Sequence, residues 1–176
     1  YNPAGSIGVA MNLHDVLCQY QFSNTLADSL GNGMDMISTG NTSSEFTSSG
    51  WSFTAESAST GGLSVDGPEN LVMASNYTIR ITAQYPDVSG WNRFMYFSSA
   101  WGPYMEDGYL YYYDIGSGPY GPENTNDQWV DIYFTRDGST EESWLWQVMG
   151  DDVIPCDAGM DSEPYYIAPD DGTRTQ

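Results

Sequence analysis

Between Asn76 and Tyr85 the chain alternates without a break. Tyr77, Ile79, Ile81, Ala83 and Tyr85 occupy one set of positions, and Thr78, Arg80, Thr82 and Gln84 the other. A period of two sends these sets to opposite faces of a strand, so the pattern predicts a half-buried strand over 76–85. Similar signatures recur. Val16, Cys18, Tyr20 and Phe22 share a face over 15–23, and Trp51, Phe53 and Ala55 alternate with polar residues. Short apolar pieces at 63–65 and 71–73 flank an Asp66-Gly67-Pro68 turn. Trp91 to Phe97 is apolar at both parities and is expected to be buried on both faces. Strands are predicted at 109–115, at 129–135 with Val130, Ile132 and Phe134 on one face, at 144–149 across an Asp137-Gly138 hairpin turn, and at 165–168. Residues 24–33, the rest of the Ser- and Thr-rich stretch 38–60, the acidic 150–163 and the tail 169–176 read as turns and loops. No stretch of comparable length carries a helical period. Roughly eight to ten short strands between turn signals predict an all-β chain, a sandwich or barrel of antiparallel strands.

A chain of 176 residues suits one domain with a sizeable core. Pro3, Gly5 and Gly8 break up its start, so residues 1–14 read as an arm preceding a domain over 15–176. The first residue is Tyr1, which suggests a processed product or a fragment. Charge narrows the partners. The net charge is −20, and the four cations are all arginine: Arg80, Arg93, Arg136 and Arg174. Such a surface repels phosphate backbones and anionic lipid, which excludes nucleic acid and disfavours membrane surfaces, and no apolar run is long enough to span a bilayer. Cations and basic partners stay open, and the plain alternative is that the acids keep an aromatic-rich protein soluble.

Several segments in order resemble laminin G-like, concanavalin A-like lectin jelly-roll domains of secreted bacterial proteins. They are Gln19-Tyr20-Gln21-Phe22-Ser23-Asn24-Thr25-Leu26-Ala27-Asp28-Ser29, Tyr77-Thr78-Ile79 through Asp87-Val88-Ser89-Gly90-Trp91-Asn92-Arg93 to Phe97-Ser98, Asp107-Gly108-Tyr109-Leu110-Tyr111, and Phe134-Thr135-Arg136-Asp137-Gly138-Ser139-Thr140. The resemblance covers roughly residues 16–170. It implies an antiparallel two-sheet β-sandwich of concanavalin A-like jelly-roll type in a secreted, extracellular or cell-surface protein. Two departures stand out. The stretch Trp146-Gln147-Val148-Met149-Gly150-Asp151 fits the family's turn loosely, and the apolar strand that usually follows a segment like 165–172 is absent before Gln176. A sheet lacking that strand would leave an open slot.

Five kinds of chemistry have candidates. Cys18 and Cys156 lie near opposite ends of the chain. Bridged, they would contribute about 4–5 kcal/mol and mark an oxidising compartment; two buried thiols is the other reading. Trp101, Tyr104, Tyr111, Tyr113 and Tyr120, with Tyr109 and Tyr112 among them, cluster around Gly- and Pro-rich turns. One parity must be core, and the other can form a platform on which sugar rings stack. Asp151, Asp152 and Asp157 head an acidic run that offers hard oxygen ligands, with Ca²⁺ the cofactor it would take. Asn41 and Asn76 begin glycosylation sequons. In the arm, Ile7, Val9, Met11 and Leu13 repeat every second residue, as a donor strand would. An alternating arm and an open slot on one chain make a head-to-tail contact, which polymerises other copies of the chain into a filament. Catalysis has the weakest case. A glycoside hydrolase needs two carboxylates facing one sugar, and the strand acids Asp114 and Asp131 have no acidic neighbour two residues away. The leading expectation is therefore a non-catalytic, self-assembling structural subunit. A carbohydrate-binding, lectin-like module comes second, and an enzyme last.

Overall fold

The structure is a computed structural model. It describes residues 16, 18–32, 35–56, 61–65, 76–95, 102–112, 121–137, 139–140 and 142–160, with the backbone alone at 65 and 157–160. The expected strands at 71–73 and 165–168, the arm with Ile7, Val9, Met11 and Leu13, and the predicted open slot lie outside these residues. The described residues hold eleven strands, all in antiparallel pairs, and no helix. The chain divides into two compact units, Tyr1–Gly67 and Pro68–Arg174.

The first unit carries two small sheets. Strand β1 (Met36–Thr39) pairs with β4 (Gly62–Val65), and β2 (Asn41–Thr47) pairs with β3 (Gly50–Ala55). The 41–47 stretch, expected to be loop, is a strand because its ladder to β3 satisfies the backbone whatever the side chains are. On that hairpin Phe46 lies opposite Trp51, and Trp51 stacks on Phe53 at 4.9 Å. Residues 18–22, expected to be strand, form none. Phe22 and Asn24 turn to φ 53° and 60°, and the chain curls around Asp28 instead. The Asp28 carboxylate is buried and accepts the backbone N–H of Gln19, Leu30 and Asn32. Burial pushes its pKa up, but the three donors outweigh that and hold it below the usual carboxylate range.

The second unit contains a four-stranded sheet in the order β11 (Asp152–Met160), β10 (Glu142–Met149), β9 (Trp129–Asp137), β5 (Asn76–Gln84). It also contains a three-stranded sheet of β6 (Trp91–Arg93), β7 (Tyr104–Glu106) and β8 (Tyr109–Tyr111). The alternation in β5 and β9 does what period two dictates. Ile79, Phe134 and Leu145 lie in one register row, and Ile81, Ile132 and Gln147 in the next. Phe134, Ile132 and Leu145 are fully buried and form one core with Met105, Leu110 and Tyr112 of the β7–β8 region. Tyr77, Ile79, Ile81, Tyr85, Val88, Phe94 and Met95 close its sides. Tyr85 meets Phe94 edge-on, and its hydroxyl donates to the Arg93 carbonyl at 2.6 Å.

Two differences from the sequence pattern have local causes. The acidic stretch after Gly150 is strand β11, joined to β10 by a tight turn at Gly150 and Asp151. It accommodates Pro155 because it is an end strand and its register slips between the partners of Leu145 and Trp146, leaving Cys156 as the extra residue. The Asp137-Gly138 turn is wider than two residues: Asp137 faces Glu142, and its carboxylate accepts from Ser139 N and Oγ.

Removing the ring of Phe134 empties the centre of this core. Phe134→Ala is expected to lower unfolding stability by about 3–5 kcal/mol, read as a fall in urea midpoint at unchanged slope. The Asp28 carboxylate contributes stability that is present above its unfolded pKa of about 3.9 and is lost as pH falls through its lower folded pKa. Asp28→Asn is therefore expected to cost about 2 kcal/mol near neutral pH. The gap to the unmodified chain should close below pH about 4, as denaturation curves across pH would show.

Candidate functional site

The three-stranded sheet has two unlike faces. Trp91 lies opposite Glu106, Arg93 opposite Tyr104, Tyr104 opposite Tyr111 and Glu106 opposite Tyr109, so these six share one face. Met105 and Leu110, at the other parity, point into the core with Tyr112. The tyrosine alternation thus resolves as period two requires: Tyr112 is core, while Tyr109 and Tyr111 lie on the outer face. The β7–β8 connection is a two-residue turn, Asp107 at φ 48° and Gly108 at φ 82°, the left-handed pair that matches strand twist.

On the outer face three rings stand side by side. Tyr104 lies between Trp91, at 4.9 Å and 13°, and Tyr111, at 5.4 Å and 12°. Such contacts contribute about 0.5–1.5 kcal/mol each beyond burial. The stack also decides what the rings can do. Tyr104 gives both faces to its neighbours and is only 9% exposed, so it supports the ladder and cannot itself hold a sugar. Trp91 sits on β6, an end strand of this sheet, and is 51% exposed. The expectation that Trp91 is buried on both faces is corrected here: its strand is three residues long and lies at a margin. The indole Nε1–H donates to Glu106 Oε1 at 2.6 Å, which fixes the ring and brings a carboxylate to its edge. One pair along, the Tyr109 hydroxyl donates to Glu123 Oε2 at 3.3 Å, and the Glu123 charge raises the Tyr109 pKa.

A buried clamp positions these groups. Asn124 and Gln147 are each 1% exposed and exchange amide hydrogen bonds, Gln147 Nε2 to Asn124 Oδ1 at 2.6 Å and Asn124 Nδ2 to Gln147 Oε1 at 3.3 Å. Asn124 also donates to the Gly108 carbonyl from its backbone and its side chain. The Gly108 N–H donates to Val88 O, the Val88 N–H to Asn126 Oδ1, and the Gly90 N–H to Asp107 Oδ1. Loops 85–90, 107–108 and 121–128 are thereby tied to β10, which places Glu123 beside Tyr109 and holds the approach to Trp91.

Of the five aromatic residues proposed as a platform, Tyr104 and Tyr111 are brought together here, while Trp101, Tyr113 and Tyr120 lie outside the described residues. Trp91, Glu106 and Glu123 were missed. Strand β7 is too short to show a period, and Glu123 reaches the sheet only through the Asn124 clamp.

The other candidates fall elsewhere. Asp151 and Asp152 are exposed at the β10–β11 turn, and Asp157 lies about 16 Å farther along β11 at the strand rise. Among the described residues no three His, Cys, Asp or Glu side chains gather as a metal site. The Asn41 amide donates to Ser38 Oγ and Gly62 O inside the first unit, whereas Asn76 is exposed at the start of β5. Cys18 is half-buried, and its thiol pKa is raised by burial and by Asp28 against a hydrogen bond with Tyr20. Cys156 is fully buried at the β11 bulge against Gly121. One cysteine lies in each unit. Asp131, one of the two strand acids weighed for catalysis, is bound by Arg80 through two hydrogen bonds and by Thr82; Asp114 lies outside the described residues. Among the described residues no helix is long and apolar enough to cross a membrane.

Comparison with models of known families, with curated proteins and with solved structures finds no match.

A Cβ at Gly108 would lie 2.5 Å from the Asn124 carbonyl oxygen, at a φ that side chains resist. Gly108→Ala is expected to cost about 1–3 kcal/mol and to shift the emission of Trp91, whose approach the turn supports. Thermal unfolding and tryptophan fluorescence would check it.

Proposed function

We propose that this chain is a non-catalytic, extracellular carbohydrate-binding module of β-sandwich type, with Trp91 as its sugar-stacking ring. The observation that carries the reading is the half-exposed Trp91 indole, stacked on Tyr104 and held by Glu106. A sugar's C–H face packs against a flat aromatic ring, and polar groups at its rim then fix orientation. Trp91 is pre-organised on both counts. Tyr104 backs one face, and the bond to Glu106 leaves the second carboxylate oxygen for a sugar hydroxyl. Rigid aromatic anchors lose little entropy on binding, which is why one tryptophan can carry much of an affinity. The jelly-roll connectivity implied by the resemblance is part of this proposal, supported by the shared core between the inner faces of the two sheets of the second unit. A bridge between Cys18 and Cys156 would agree with export, and non-reducing mass spectrometry of freshly isolated protein tests it.

Assembly is the second reading, and one strand favours it. Strand β5 is nine residues long, has neither proline nor bulge, and pairs only with β9 among the described residues. A long, regular strand suits an added partner strand, whereas β11 at the opposite end is broken by Pro155 and its bulge.

Trp91→Ala is expected to weaken binding to a recognised glycan at least tenfold while leaving the far-ultraviolet circular dichroism unchanged, because the ring is outside the core. A full-length chain that binds nothing on a broad glycan array would overturn the lectin reading. Fibres in electron micrographs that disappear on deletion of residues 1–13 would establish the assembly reading in its place.

A further inference from the structure

The outer side of the four-stranded sheet carries a second aromatic surface. Ser143, Leu145 and Gln147 of β10 are buried on the inner face, so Trp144, Trp146 and Val148 take the outer one. Trp129, Asp131 and Tyr133 of β9 share that side, with the alternate residues of β5 from Thr78 to Gln84. We propose that this face binds a neutral, extended polysaccharide of the β-1,4-linked kind, its indoles packing against the C–H faces of successive sugars. The inference shares the carbohydrate-binding reading of the chain but not its Trp91 site, so either can fail alone.

Register sets Trp146 between Tyr133 on β9 and Pro155 on β11, with Arg80 beyond Tyr133 in the same row. Trp144 lies two residues before Trp146 on the same strand, about 7 Å away at the strand rise. Trp129 stands at the start of β9 and is 48% exposed. Six residues of β9 separate it from the row of Trp144, so the rings spread over about 20 Å and suit a chain of sugars more than a single one. The face meets water at both margins. Thr78, Arg80, Thr82 and Gln84 are exposed on β5, and Val153 and Pro155 on β11. Among the described residues nothing accepts from the indole N–H of Trp129, Trp144 or Trp146, and none of the three stacks on another ring. Their donors are left for a ligand.

Charge and polarity select the occupant. Arg80 and Asp131 neutralise each other in the middle of the face, and the other acids of its described residues, Asp137 and Glu142, lie at the hairpin end. The chain as a whole carries −20. That field repels an acidic polymer, and it repels a second copy of the chain. A basic partner finds Asp131 already bound by Arg80 and Thr82. An apolar partner would cover the Arg80 guanidinium and the Thr78–Thr135 hydroxyl pair without replacing their bonds to water. A neutral sugar chain matches both halves of the surface: its C–H faces meet the indoles, and its hydroxyls meet the polar row on β5. Arg80 uses Nε and Nη2 on Asp131 and lies over the Tyr133 ring at 5.4 Å, which fixes the guanidinium and leaves Nη1 to donate to a sugar hydroxyl.

The test titrates the nitrogen-15-labelled full chain with cellohexaose, xylohexaose and mannohexaose, and with a galacturonate hexamer as the acidic control. The indole N–H resonances of Trp129, Trp144 and Trp146 are expected to shift with at least one neutral hexamer and to stay in place with the acidic one. Trp146→Ala should weaken that binding at least tenfold by isothermal titration, and Trp146→Tyr should restore most of it. Trp91→Ala should leave the three shifts unchanged. The resonances of the unmodified chain decide the matter even where Trp146→Ala does not fold. Shifts confined to Trp91 and abolished by Trp91→Ala would overturn this face and leave the earlier site standing. Movement of the three indoles on concentrating the chain alone, with a dimer in sedimentation, would put a second copy on the face and overturn the proposal. So would silence with all three neutral hexamers, whereas the Trp91 reading fails only if the broader glycan array is blank as well.

Discussion

One face of β9 and β10 must leave water, and the rest of the second unit follows from that demand. Val130, Ile132, Phe134 and Leu145 are at most 1% exposed, and Asp131 and Tyr133, which alternate with the first three along β9, are only half-buried. Burial on this scale is the dominant favourable term available to such a chain. A single sheet cannot supply it, because the buried face needs a second layer. Met105 and Leu110 provide that layer from β7 and β8. Once those two point inward, period two leaves Tyr104, Glu106, Tyr109 and Tyr111 no choice but the outer face. The candidate site is thus the reverse side of the core, and its orientation follows from the packing.

Polar groups complete the same layer. The sheet face that buries Phe134 also carries Arg136, Ser143 and Gln147, and these would be costly without partners. Arg136 donates to Ser143 Oγ, and Gln147 exchanges bonds with Asn124. The second pair links the inner face of the sheet to the loops that frame the aromatic stack. A hydrogen-bonding need inside the core therefore determines where Glu123 sits on the surface. The outer side of the four-stranded sheet is held differently, by the Arg80–Asp131 pair with Arg80 over the Tyr133 ring, in contact with water and correspondingly modest in energy.

A ring's worth as a binding surface depends on which of its atoms are free. Sequence shows how many tyrosines a segment holds, and this one holds many. Stacking then removes most of their area from use: Tyr104 is aromatic, on the right face and nearly inaccessible. Trp91 is accessible because its strand ends the sheet.

The all-β character and the inward sets on β5 and β9 were legible from alternation alone, because long strands average over enough residues for the period to stand out. The hairpin between β9 and β10 was legible from Asp137-Gly138, though not its width. Strands β2 and β11 were not, since backbone ladders form between segments whose side chains are polar or acidic. The coil at 18–22 was hidden for the opposite reason: its alternation is real, but Asp28 collects the backbone donors of that region and bends the chain away from a ladder. In the site, the sequence by itself placed Tyr109 and Tyr111 opposite Tyr112 and left open which side was core. Only the tertiary structure chose the side, brought Trp91 and Glu106 across two strands, and added Glu123 from a distant loop. Periodicity is a property of one strand, whereas a binding face is made by register between strands, which depends on contacts far apart along the chain.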